Sequence, residues 1–202
     1  MRNFTSQVIF IALALLSPSS AMAIEEPEYE ILLSSGDVEF RAYGPYTIAT
    51  VSVSGSAPDR QAFRILADYI FGGNKTGEKM AMTAPVESQG GDYAFVMESR
   101  FSMDELPEPD DERIQLQIKP PRVVAVRRFS GRWSDRNIRN NEAQLLADLA
   151  ALGIETTAPP ELARYNSPFT PWFLRRNEII VAVDWQSVDR GAVIAGESPA
   201  RL

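Results

Sequence analysis

The chain contains neither cysteine nor histidine among its 202 residues. Without cysteine there is no disulfide and no thiolate metal site, even in an oxidising compartment. Without histidine, Ser-His-Asp and Cys-His catalysis, His-ligated zinc and His-ligated haem iron are all excluded. Positive charge is also in short supply: 20 Lys and Arg against 27 Asp and Glu leave a net charge of -7. That balance argues against nucleic acid and anionic membrane surfaces as partners, since both call for clustered cations. An enzyme built on what remains would have to use Glu, Asp, Tyr or Lys, and no constellation of these stands out.

Long apolar runs are scarce as well. Residues 8–16 form an apolar stretch too short to span a bilayer. Preceded by Arg2 and followed by Ala21-Met22-Ala23, a small-x-small site, they read as an export signal cleaved after Ala23. The expected mature chain starts at Ile24, carries a charge of -8 once Arg2 is gone, and is periplasmic or secreted. A retained anchor is the alternative. Residues 24–186 suffice for one domain with a real core. The tail, 187–202, lacks periodicity and reads as flexible.

What is present is dense in strand signals. "YEILLS" (29–34) and "VEFRAY" (38–43) flank the hairpin turn "SGD", and "YTIATVSVSG" (46–55) is rich in β-branched residues. The period then changes. "PDRQAFRILADYIFGG" starts with Pro58 and stops at Gly72-Gly73, with Ala62, Phe63, Leu66, Tyr69 and Ile70 on one helical stripe. "MTAPV" and "DYAFVM" follow. The second half repeats the order: "IQLQIK" (114–119) and "RVVAVRRFSG" (122–131), a helix with Ser134 as N-cap and Gly153 as its stop, then "YNSPF" and "EIIVAVDW". Ser54-Gly55 matches Ser130-Gly131, and Pro85 matches Pro168. The expected fold is α+β: a distorted antiparallel β-barrel of two pseudo-repeats, about 29–101 and 113–186, each with strands and one helix packed outside. The acidic, proline-rich "MDELPEPDDER" (103–113) reads as an exposed linker.

Three features invite chemistry. The glycines and lysines of 72–86 lack the G-x-x-x-x-G-K-[ST] spacing, so a mobile loop is favoured over a phosphate cradle. Arg60 and Arg64 lie one helical turn apart, able to hold two carboxylates or to form a solvated face with Arg64 paired to Asp68. "RYNSPFTPWFLRRNE" (164–178) sets Phe169, Pro171, Trp172 and Phe173 on a proline-stiffened path. It is either a buried corner capping the core, with Arg176 paired to Glu178, or a pocket wall for something flat and apolar. Sequence alone leaves both open.

"FRILADYIFGGN", "KMAMTAPV" and "ARYNSPFTPWFLRRNEI", in that order, resemble the SOUL haem-binding protein family over nearly all of the mature chain. The resemblance implies non-catalytic binding of haem or another tetrapyrrole, carrier-like, in a surface cleft between the first helix and the loop before the last strand. The implied contacts are Arg60, Arg64, Ala67 and Phe71 on one side and Phe169, Pro171, Trp172 and Phe173 on the other. Arg60 matches a family position for the propionates; two further cationic positions are Asp68 and Thr170 here. No histidine is available as axial ligand, so iron would rest on Tyr, Met or water, or on no side chain. The expected partner is a small apolar carboxylate-bearing ligand, and the chain is expected to be monomeric, without stable membrane insertion after signal cleavage. The rival expectation is an effector-sensing or interaction module that binds another amphiphile or a partner peptide.

Overall fold

The computed structural model describes residues 24–55 and 57–186, together with 188, 191 and 193; the proposed export signal lies outside the described residues. Nine strands form one antiparallel sheet: β1 (Tyr29–Ser35), β2 (Val38–Tyr43), β3 (Tyr46–Ser52), β4 (Val86–Gln89), β5 (Asp92–Val96), β6 (Gln115–Lys119), β7 (Arg122–Phe129), β8 (Glu161–Arg164) and β9 (Asn177–Ala182). Helices α1 (Pro58–Ile70) and α2 (Asp135–Ala151) pack against it. The order is β1-β2-β7-β9-β8-β4-β5-β3-β6, so the sheet curls into a half-barrel with β1 and β6 at its edges. From the β8–β4 seam the sheet runs β4-β5-β3-β6 one way and β8-β9-β7-β2 the other. Helix α1 packs on β3 and β5, and α2 packs on β7 and β9, at matching places on the two sides.

Local chemistry explains the element ends. Pro58 opens α1, where its missing N–H would be unpaired in any case. Ser134 caps α2, its Oγ accepting from the Asn137 backbone N–H at 3.4 Å, and Gly153 follows with φ +68°. Alternation turns Phe40, Ala125, Ile179 and Val181 toward α2, where Leu145 and Leu149 meet them. Ile65, Leu66, Tyr69 and Ile70 of α1 close a separate core with Val51, Phe95 and Met97. Met80 and Met82 both pack with that core.

Four expectations change. β8, the central seam strand, gives little sequence signal because only Leu162 and Ala163 stand between its charged ends. Residues 103–113 are not a free linker. Leu106 and Pro107 are buried, the Tyr69 hydroxyl donates to Pro107 O at 2.8 Å, and Lys75 N–H donates to Glu108 O at 2.9 Å. The 72–86 loop is pinned from within by buried Asn74, whose amide donates to Tyr69 O and Glu78 O. Of the tail expected to fray, Val188 and Val193 are buried in the α2 core, and Ser35 Oγ donates to Val193 O at 3.1 Å.

Candidate functional site

Helix α1 has two apolar stripes, not one. Ala62, Ile65, Leu66, Tyr69 and Ile70 follow the i, i+3, i+4 period inward and are buried. Phe63, expected with them, sits on the shoulder of that stripe. It is 43% exposed, its ring edge-on to Phe95 at 5.4 Å between centroids, and Ile65 takes the core position. The outer stripe is therefore Arg60, Phe63, Arg64, Ala67 and Phe71, with Phe71 59% exposed. Neither Arg60 nor Arg64 forms an ion pair among the described residues, so the expected Arg64–Asp68 pair is absent.

Two recesses flank this stripe. At the start of α1 a cavity of about 280 Å³ is walled by Phe63, Phe95, Val86 and Trp133, with Pro168 and Asn166 entering from the late segment. Its polar end is a clasp. Arg164, nearly buried, donates from Nη1 to Asp59 Oδ2 at 2.8 Å and from Nη2 to Ser88 Oγ at 2.9 Å, and the Tyr93 hydroxyl donates to the other Asp59 oxygen. Burial raises the Asp59 pKa, but Tyr93 and Arg164 outweigh it and hold the carboxyl below its ordinary value. Burial and the adjoining Asp59 carboxylate push Tyr93 up to about 12. Further along α1 a shallower recess of about 630 Å³ runs past Arg64, Ala67 and Phe71, with Asp111 and Arg113 opposite. Arg60 and Phe63 line both recesses, so together they form one groove along the helix.

The model of the SOUL heme-binding protein family matches residues 24–182. The chain belongs to that family. Membership makes it a haem- or tetrapyrrole-binding type of protein at the level of the family. No curated protein matches it. Among solved structures it is similar to the EcmrR C-terminal domain, with 11% identity, a TM-score of 0.56, and coverage of 77% of this chain and 98% of that one. It is also similar to EcmrR in a DNA complex, with 11% identity, a TM-score of 0.57, and coverage of 73% and 57%. A hydrolase from Listeria innocua is similar too, with 11% identity, a TM-score of 0.53, and coverage of 76% and 94%. At such identities the likeness is one of fold alone.

In this SOUL chain, Arg60, Arg64, Ala67 and Phe71 come together on one groove. The late segment meets that groove through Asn166 and Pro168, while Phe169, Pro171, Trp172 and Phe173 stand exposed and line neither recess. They do not cap a core, so the buried-corner alternative fails. Arg176 does pair with Glu178, at 2.9 Å. The sequence reading missed Asp59, Tyr93, Trp133 and Arg164. Arg164 belongs to the unrecognised strand β8, and Trp133 to the turn before α2; no local pattern joins either to α1.

The residues present fit haem in part. A flat apolar face suits Phe63, Ala67 and Phe71, and two peripheral carboxylates suit Arg60 and Arg64. Axial coordination of iron is not matched: the chain offers no His or Cys, and the Tyr93 hydroxyl beside the groove is committed to Asp59. The fully buried acid Glu178 is equally committed. It accepts from Arg41 Nη1 at 2.8 Å, Arg176 Nε at 2.9 Å and Tyr165 Oη at 2.9 Å. Burial works to raise its pKa, but the two guanidinium groups overcome that and keep it below the ordinary carboxylate range. A carboxylate held ionised by three donors is a structural anion, not a proton donor.

Proposed function

We propose that the protein binds haem or a related tetrapyrrole non-covalently in the α1 groove and acts as a carrier or buffer, without turnover. The observation that carries this reading is the outer stripe of α1, where exposed Phe63 and Phe71 alternate with two arginines that form no ion pair among the described residues. The macrocycle would lie against Phe63, Ala67 and Phe71, with its carboxylates on Arg60 and Arg64. The second proposed wall is Phe169, Pro171, Trp172 and Phe173, adjoining the groove at Pro168. Iron plays little part in retention on this reading, because no side chain of the groove is suited to it. Burying ~200 Å² of ring at ~25 cal/mol/Å² offers about 5 kcal/mol before association costs, which alone corresponds to sub-millimolar affinity at best, so tighter binding rests on the carboxylate contacts to Arg60 and Arg64. We also infer that residues 1–23 direct export, that the mature chain is a periplasmic or secreted monomer, and that its two halves repeat one unit.

Titration with hemin should give a saturable Soret shift. Metal-free protoporphyrin should bind about as well, and its dimethyl ester about tenfold or more weakly, through loss of charge-assisted contacts. Absence of any hemin response would reject the reading. A stronger response to carboxylate-free amphiphiles would assign the groove to effector sensing instead.

A further inference from the structure

Of the nine exposed large apolar side chains among the described residues, four fall within six positions of the late segment: Phe169, Trp172, Phe173 and Leu174. Phe169, at the tip, is 95% exposed. The segment is not free to fold these groups inward. Arg175 donates to Thr170 O at 2.9 Å and to Pro168 O at 2.7 Å. Thr170 N–H donates to Ser167 O, and Leu174 N–H to Pro171 O. Two prolines restrict the rest. Rings fixed outward on a projecting loop are open to a soft apolar medium on the side that faces away from the groove.

The charge beside them points to what that medium carries. Gly131 N–H donates to Trp172 O at 2.9 Å, joining the loop to the turn between β7 and α2, and the Arg132 guanidinium lies 5.9 Å from the Trp172 ring centre. Residues 127–139 hold Arg127, Arg128, Arg132, Arg136 and Arg139 against one acid, Asp135. Arg127 pairs with Asp37 and Asp148, and Arg139 with Asp135. Arg128, Arg132 and Arg136 are exposed and form no ion pair among the described residues. The chain-wide count of -7 averages over this local reversal. Arg132 beside an exposed ring, with Arg128 and Arg136 near it in sequence, matches the composition of an interfacial anchor: rings enter the headgroup boundary while guanidinium groups meet lipid phosphates.

We propose that this face is a peripheral docking surface for an anionic phospholipid bilayer. Phe169, Trp172, Phe173 and Leu174 enter the interface, and Arg128, Arg132 and Arg136 bind the phosphates. The acidic remainder of the molecule is repelled by the same surface. Docking is therefore oriented, reversible and sensitive to salt. No described helix is long and apolar enough to cross a membrane, so the contact is superficial. This surface adjoins the ligand groove at Pro168 and Trp133 and shares Phe169, Trp172 and Phe173 with the second wall proposed above, so its test uses Leu174 and Arg132, which belong to neither groove nor wall.

The test is co-sedimentation of the naturally processed protein with phosphatidylcholine vesicles prepared with and without phosphatidylglycerol. Binding is expected to the anionic vesicles at low salt, with loss on adding salt and little binding to phosphatidylcholine alone. Leu174→Glu and Arg132→Glu should each weaken it by about tenfold or more. Both should leave thermal unfolding and the protoporphyrin titration unchanged, because neither residue belongs to the groove. No binding to anionic vesicles, or equal binding by both variants, overturns the proposal. Concentration-dependent dimerisation abolished by Leu174→Glu also overturns it, since the patch would then serve a second copy of the chain.

Discussion

Around Glu178 and along the outer face of α1 the protein uses arginine in opposite ways. Arg41 and Arg176 are folded onto the buried carboxylate, with Glu39 and Glu26 taking further donors at 2.6 and 2.8 Å. Each guanidinium there has one acid two residues away and one from a distant part of the chain, Glu178 for Arg41 and Glu26 for Arg176, and its charge holds β2, β9 and the segment before β1 together. Arg60 and Arg64 have comparable reach but form no ion pair among the described residues, although Asp68 and Asp111 line the same recess, and they flank apolar surface left in water. Paired charges in the interior stabilise only as a set, because removing one member strands the others without solvent. Unpaired charges on a helix contribute almost nothing to folding and keep their donors for a ligand. The difference separates scaffold from site more sharply than residue type does.

If that contrast holds, Glu178→Gln should be the most damaging change, costing about 3–5 kcal/mol in urea unfolding by leaving two buried guanidinium groups short of charge. Acid should reproduce part of the effect. Because Glu178 sits below the ordinary glutamate value of about 4.3, the unfolded chain takes up its proton first. The stabilisation is thus complete above that value and is lost as pH falls through the lower, folded one. The Gln variant should show a flatter acid limb; an unchanged limb would mean that other carboxylates govern acid unfolding. Next in size, Arg60→Ala with Arg64→Ala should weaken protoporphyrin binding by about tenfold or more while stability moves by no more than about 0.5 kcal/mol. A large stability loss would place these arginines with the scaffold. Phe71→Ser should cost about three- to tenfold in the same titration through lost apolar contact. Smallest of all, Arg139→Ala removes an exposed pair with Asp135 on α2 and should alter neither readout by more than about 0.5 kcal/mol.

Much of the fold was legible because its long elements carry strong periods. Both helices and the runs that became β1, β2, β3, β7 and β9 stand where alternation or a 3.6-residue stripe placed them. β8 was not legible, since four residues with two apolar ones give no period, yet it occupies the seam. The helix side of the candidate site was legible through the spacing of Arg60 and Arg64. The clasp of Asp59, Tyr93 and Arg164 was not, since β5, β8 and α1 meet only in three dimensions. Phe63 misled because a shoulder position satisfies a loose apolar count without satisfying the packing. The charge total misled in another way: a sum over 202 residues conceals a local run of arginines, of which Arg132 lies beside the exposed Trp172 ring.

That clasp also governs how the groove responds to its surroundings. Asp59 is gripped by Tyr93 from one side of the seam and by Arg164 from the other, and Arg60 is the next residue along. The first turn of α1 is thereby geared to the spacing between the two halves of the sheet. Any drift between those halves is passed to the backbone that carries Arg60, the proposed carboxylate contact, through the same three side chains.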